Sequence, residues 1–310
     1  MSRCAVYAIL AGAFAAVAYV HTGKGDLAVA QPLPPKPKIT VSHQDTPEKV
    51  LTLVGIEVPS IPEFACDVWC YEQAFDNRQR GEAEMQTDGS MILTHTRGDT
   101  RVTTQIVPDV IPASDDGPAI AYADFNITVS GKTRDDVTAV GSLNPCWQMR
   151  RAEGFSSNGE FVENFVNQCF IFTEKGFTML GETTRFPDTR RPPDDERNSP
   201  PWVQNYYPAW RPHPGQPKAF WGISTDRFIY SLVGEVSRDR KHLVAFGCRR
   251  SNLLGQGWHD CLHISPDMRE EYAAAANQIN SRWRMYFMEN DSARLLRLYL
   301  ADMKPEPPPE

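Results

Sequence analysis

The apolar residues of this chain come in short, β-branched runs that glycine, proline or aspartate repeatedly cut off. Residues 90–96 follow the turn signal Asp88-Gly89, and 101–107 are rich in Val, Ile and Thr before Pro108. Residues 122–129 alternate polar with apolar side chains and end at Ser130-Gly131. Runs 169–173 and 177–180 flank Glu174-Lys175-Gly176, as the arms of a hairpin would. Runs 227–237 and 242–248 flank the charged turn 238–241 as a second hairpin. Alternation with period two buries one face of a strand, whereas a helix needs a period near 3.6. The expected fold is therefore mainly β: an antiparallel β-sandwich with a long proline- and aromatic-rich loop and C-terminal helices.

That loop is residues 187–218. It carries nine prolines in 32 residues, which excludes a long helix or a central strand. It also carries Trp202, Tyr206, Tyr207 and Trp210, aromatics that a disordered polar linker lacks. Two readings stand: a binding loop, or a loop that packs its rings over the sheet. Beyond it, 256–263 reads as one more extended strand. Residues 268–280, with four consecutive alanines, read as helix after Asp267, and 284–288 as a strand. Asp291 is expected to cap a short amphipathic helix ending near Asp302.

Residues 1–20 combine Arg3 with an apolar run, and Ala28-Val29-Ala30 precedes Gln31, the pattern of a secretory signal peptide. The expected organisation is a leader over 1–30 and a proline-rich linker over 31–47. A single β-rich domain with a helical C-terminal part follows over 48–304, then a flexible tail over 305–310. Nothing after the leader reads as a membrane span, so the expected address is secreted or periplasmic. In an oxidising compartment, Cys66, Cys70, Cys146, Cys169, Cys248 and Cys261 favour disulfides. Cys146 with Cys169, and Cys248 with Cys261, could each clip neighbouring strands.

The formal charge is −7, and leaving out Arg3, Lys24 and Asp26 of the leader makes it −8. That balance argues against a nucleic-acid partner. No Gly-x-Ser-x-Gly elbow, phosphate loop or dinucleotide fingerprint is present, so the sequence names no cofactor.

The densest chemistry lies in Gln256-Gly-Trp-His-Asp-Cys-Leu-His263. His259 and His263 are four residues apart, which favours a shared face in strand or helix alike. Three roles compete. As catalytic residues, both histidines could move protons near neutral pH. As metal ligands they would need a third donor, such as His95 or Glu235, and closely spaced cysteine pairs are missing. As structural groups they would satisfy buried carbonyls while Cys261 forms a disulfide. The expectation is catalytic His259 and His263 with no metal. Substrate is expected on Trp202, Tyr206, Tyr207, Trp210, Arg211, Trp221 and Trp258, because aromatic faces stack on sugars and arginine pairs with sugar acids. The functional expectation is a secreted carbohydrate-active protein acting on a poly- or oligosaccharide, as a lyase or hydrolase with histidine acid/base chemistry. The alternatives are a noncatalytic glycan-binding protein and a secreted structural or protein-interaction module.

Overall fold

The computed structural model describes residues 33–45, 50–61, 64–71, 80–138, 140, 143–149, 152, 154–155, 165–185, 204–215, 222–257, 260–267 and 277–305. One compact unit spans Pro34–Glu310. Among the described residues the protein is mainly β, and their strands form two large sheets. The first has eight strands. In spatial order they are β1 (Lys38–Asp45), β2 (Val50–Glu57), β3 (Ala65–Trp69), β8 (Cys146–Gln148), β16 (Cys261–Pro266), β15 (Ser251–Gln256), β11 (Gln204–Tyr206) and β12 (Gly222–Ile223). The second has nine: β10 (Gly176–Met179), β9 (Cys169–Thr173), β13 (Phe228–Val236), β14 (His242–Cys248), β17 (Gln278–Glu289), β7 (Ile120–Ser130), β6 (Thr100–Ile111), β5 (Met91–Arg97) and β4 (Glu82–Met85). Neighbours run antiparallel except β11 and β12, which are parallel.

Strand alternation sends one set of side chains from each sheet into a common apolar cluster. Val54, Val68, Trp147 and Leu262 of the eight-stranded sheet join Phe125, Val233, Phe246 and Trp283 of the nine-stranded sheet there. The rings of Trp147 and Phe246 lie 5.7 Å apart between centroids. Each fully buried side chain of this size stabilises the fold by roughly 1.5–3 kcal/mol over exposure.

The outer face of the nine-stranded sheet is closed in part by a helix. A short helix, α1 (Arg134–Thr138), precedes it in the chain, and α2 (Ser292–Met303) is the covering element. Asp291 caps α2 as expected, its carboxylate accepting from the Arg294 backbone N–H at 2.9 Å. Leu295, Tyr299 and Met303 recur every fourth residue, and this face packs on Phe170, Leu232, Tyr286 and Met288. Because α2 covers it, β17 is buried on both faces from Trp283 to Met288. That explains the unbroken apolar run Met285-Tyr-Phe-Met288.

Both expected hairpins form, β9 with β10 and β13 with β14. Several boundaries differ from the sequence reading. Residues 38–45, expected within the linker, form edge strand β1 against the apolar β2. An edge strand half in solvent needs few apolar residues, and only Ile39 is buried along it. β6 does not stop at Pro108 but runs to Ile111. β5 pairs with β6 only as far as Ile106, so the proline sits where the ladder is one-sided. Strand β17 starts at Gln278, inside the stretch read as helix, while 268–276 lie outside the described residues. The single strand expected over 256–263 is two strands, β15 and β16, with Asp260 at φ 25° between them.

Among the described residues no disulfide joins the six cysteines, all of which are buried. Both expected pairs fall on different sheets: Cys146 on β8 against Cys169 on β9, and Cys248 on β14 against Cys261 on β16. Among the described residues no helix is long and apolar enough to cross a membrane.

Candidate functional site

Strands β8 and β16 pair antiparallel, with Leu262 opposite Trp147 and His263 opposite Cys146. Leu262 and Trp147 point into the common core. Alternation therefore turns Cys146, Cys261 and His263 to the opposite face of the sheet. There Cys146 and Cys261 pack with Leu51, Leu53 and Trp69 in a small buried cluster. The two sulfurs and a ring nitrogen of His263 all lie within 4.8 Å of one another. Cys261 Sγ is 3.3 Å from His263 Nε2, and Gln148 Nε2 donates to Cys146 Sγ at 3.6 Å. On the other side of the ring, the Asn144 side-chain nitrogen lies 3.5 Å from Nδ1, and Ser265 Oγ donates to Asn144 Oδ1 at 3.3 Å. Gly257 N–H donates to the Cys261 carbonyl at 3.0 Å, and a Cβ at Gly257 would collide with Cys261 Sγ.

The third donors considered from sequence, His95 and Glu235, are not the groups that lie beside His263. The donors that join His263 are two cysteines, one of them 117 positions earlier in the numbering and set by strand register. His95 and Glu235 are elsewhere. His95 is buried on β5, its ring 5.3 Å from that of Tyr71, and burial, with His43 nearby, lowers its pKa to about 4. Glu235 points between the sheets, fully buried beside Cys169 on the adjacent strand. Its Oε1 accepts from Gln168 Nε2 at 3.3 Å. Burial first, then the charge of Asp260, push its carboxyl well above the usual range.

His259, Trp258, Trp202 and Trp221 lie outside the described residues. The remaining expected contacts belong to packing more than to an open platform. Tyr206 is fully buried, its hydroxyl 2.8 Å from Thr183 Oγ1 and accepting from Arg185 at 3.2 Å. Trp210 is half-buried against the core, edge-on to Phe228 at 5.5 Å and under the Arg250 guanidinium at 5.4 Å. Arg211 pairs with the buried carboxylate of Asp267. Tyr207 is half-buried, and its carbonyl accepts from Phe228 N–H at 3.2 Å.

A second site was not singled out from sequence. On the outer face of the nine-stranded sheet, beside the end of α2, a pocket of about 330 Å³ opens to solvent. Asn126, Thr128, Arg249, Asn280, Arg282 and Asp302 contribute to its wall. Asn126 and Thr128 alternate with Phe125 and Ile127 of the core, as Arg282 does with Trp283. Beneath it lies a charge network. Asp124 accepts from Arg282 at 3.0 Å and from Arg284 at 2.7 Å, and Arg284 also donates to Asp302 at 2.7 Å. Arg284 lies over the Tyr122 ring at 3.8 Å. The alternating polar residues of 122–129 were the only available signal, since partners 280–282 arrive through pairing of β7 with β17.

No protein-family model matches the chain, and no curated protein matches it at a significant level.

Proposed function

We propose that this is an exported, noncatalytic glycan-binding β-sandwich that holds an acidic poly- or oligosaccharide in the pocket beside α2. The observation that carries this reading is the composition of the pocket wall. Amides at Asn126 and Asn280 and the hydroxyl of Thr128 both donate and accept, which matches the hydroxyls of a sugar. Arg249 adds a guanidinium suited to a carboxylate or sulfate, and Arg282, held on Asp124, adds positive charge to the wall. Asp302 is engaged by Arg284 and by the Tyr286 hydroxyl at 3.1 Å, which reduces its repulsion of an acidic ligand. A chain of charge −7 needs such local arginines to hold an anion at all.

The lyase or hydrolase reading has less support. His263 faces away from the core on the other sheet, bonded to Cys261 and Asn144, while the pocket lies on the far outer face. Acid/base catalysis requires the reacting bond within hydrogen-bond reach of the histidine. Screening acidic and neutral polysaccharides for retention, together with reducing-end and unsaturated-product assays, tests both readings. Retention of an acidic glycan without product is the expected result. Arg249→Ala should then weaken it about tenfold, the size of one hydrogen bond to a charged group. Product that disappears in His263→Ala would establish the enzyme instead, and no retention of any glycan would end the carbohydrate reading.

A further inference from the structure

We propose that Cys146, Cys261 and His263 bind a zinc ion. The first argument is geometric. Around tetrahedral zinc, with Zn–S about 2.3 Å and Zn–N about 2.0 Å, neighbouring sulfur and nitrogen donors sit roughly 3.5 Å apart. Cys261 Sγ and His263 Nε2 are already 3.3 Å apart, and Cys146 Sγ completes a triangle within 4.8 Å. All three side chains project from two paired strands rather than from a loop, so their spacing is held by backbone hydrogen bonds.

The second argument is electrostatic. The thiols pack against Leu51, Leu53 and Trp69, where an uncompensated charge is costly. Two thiolates and one neutral imidazole around a divalent ion make a complex of zero net charge. A monovalent ion in the same place would leave a buried negative charge. Binding therefore releases the two thiol protons to solvent as the two Zn–S bonds form.

The surroundings supply the outer contacts such a site uses. With the Asn144 amide turned by half a rotation, its oxygen accepts from His263 Nδ1–H, and the Nε2 lone pair faces the sulfurs. Gln148 N–H already supports the Cys146 sulfur. Gly257, having no side chain, leaves room for the Cys261 sulfur. A nucleophilic Cys261–His263 pair would use the same 3.3 Å contact, but it would need a path for substrate, and Cys261 is fully buried.

Zinc and cobalt titrations of the reduced, metal-free full chain test the proposal. Zn²⁺ should bind with 1:1 stoichiometry in competition with a chromophoric chelator, with release of about two protons per ion. Co²⁺ should give a thiolate-to-metal charge-transfer band. Cys146→Ser and His263→Gln should each weaken zinc binding about a hundredfold. Cys169→Ser, a buried thiol on the other sheet, should leave it unchanged. Gly257→Ala removes no ligand, yet its methyl should weaken binding about tenfold by displacing Cys261 Sγ. Near-ultraviolet circular dichroism of each variant confirms that it is folded. Absence of the cobalt–thiolate band in the folded parent would overturn the proposal. So would an equal loss in Cys169→Ser, or a Cys146–Cys261 disulfide whose reduction yields no zinc uptake.

Discussion

The two sheets turn opposite kinds of surface away from their shared core. Behind β8 and β16, two sulfurs are buried among Leu51, Leu53 and Trp69, with the half-buried imidazole of His263 beside them. Behind β7 and β17, amides and guanidiniums border an open pocket over a network of buried charge. The same alternation rule produced both faces, so the difference lies in what covers them. Apolar neighbours make the first face suited to a small ion that can be neutralised inside. Ion pairs make the second suited to a large hydrated ligand that stays partly in water. If this contrast is functional, changes on one face should leave the chemistry of the other intact.

The largest expected effect is on the charged face. Arg284 is buried and bridges Asp124 and Asp302 with 2.7 Å contacts to each. Burial alone would lower its pKa, but the hydrogen bonds and charge of Asp124, with the charge of Asp302, outweigh it and hold the pKa above the ordinary arginine value. Arg284→Ala would remove the cation shared by two mostly buried carboxylates, leaving Asp124 to Arg282 and Asp302 to the Tyr286 hydroxyl, at a cost of about 3 kcal/mol in urea unfolding. It should also abolish glycan retention, because Asp302 loses its anchor and Asp124, which holds Arg282, loses its second partner. A loss below about 1 kcal/mol would mean that water replaces the guanidinium and that the network does not build the pocket.

Metal removal comes next. At a hundredfold excess over its dissociation constant, zinc should add about 2.7 kcal/mol to the stability of the parent. That increment should vanish with a chelator and be absent in Cys146→Ser. Glycan retention should not change in either case. A parallel loss of retention would show that the faces are coupled, and the contrast drawn above would fail.

The history of these two faces in the sequence is unequal. Hairpins such as β9–β10 were legible because turn residues and alternation are local signals. So was the helix capped by Asp291. The two candidate faces were half legible. Cys261 and His263, two residues apart, could be placed together on a strand, but Cys146 reached them only through the register of β8. Register depends on contacts distant in sequence, which no window of residues reports. The same holds for Asn126 and Asn280, which meet across β7 and β17. The aromatic loop drew attention for its composition, yet Tyr206 is core. Ring content is equally consistent with packing and with binding until burial is known.

Between the faces lies Glu235, and it offers a smaller test. Burial, reinforced by Asp260, raises its pKa above the ordinary 4.5. The folded state thus holds a proton that the unfolded chain releases. Its stabilising contribution is complete below pH 4.5 and is lost as pH rises through the folded value. Stability should fall by at most about 1.4 kcal/mol per pH unit across that window from this group. Glu235→Gln keeps an acceptor for Gln168 and removes the titration, so its profile should be flatter and its stability higher at neutral pH. An unchanged slope from pH 4 to 8 in urea unfolding would mean that the carboxyl ionises normally with water beside it. Asp260 directly precedes Cys261, so the variant bears on the thiol face and should spare the pocket.

The smallest expected effect belongs to Asn280. Its side chain is exposed at the pocket rim, where Oδ1 accepts from Thr128 Oγ1 and Gln278 Nε2, each at 3.0 Å. Both donors can turn to water, so Asn280→Ala should change stability by less than about 0.5 kcal/mol. Loss of one neutral hydrogen bond to a sugar hydroxyl should weaken retention by about 1 kcal/mol, roughly fivefold. Cys146→Ser, measured on the same glycan, should show no change. The pair of variants then separates the faces in both directions: one alters retention without zinc affinity, the other zinc affinity without retention. If Asn280→Ala instead leaves retention untouched while Arg249→Ala reduces it, the pocket reads charge alone. The ligand would then be any polyanion of suitable size rather than a sugar recognised through its hydroxyls.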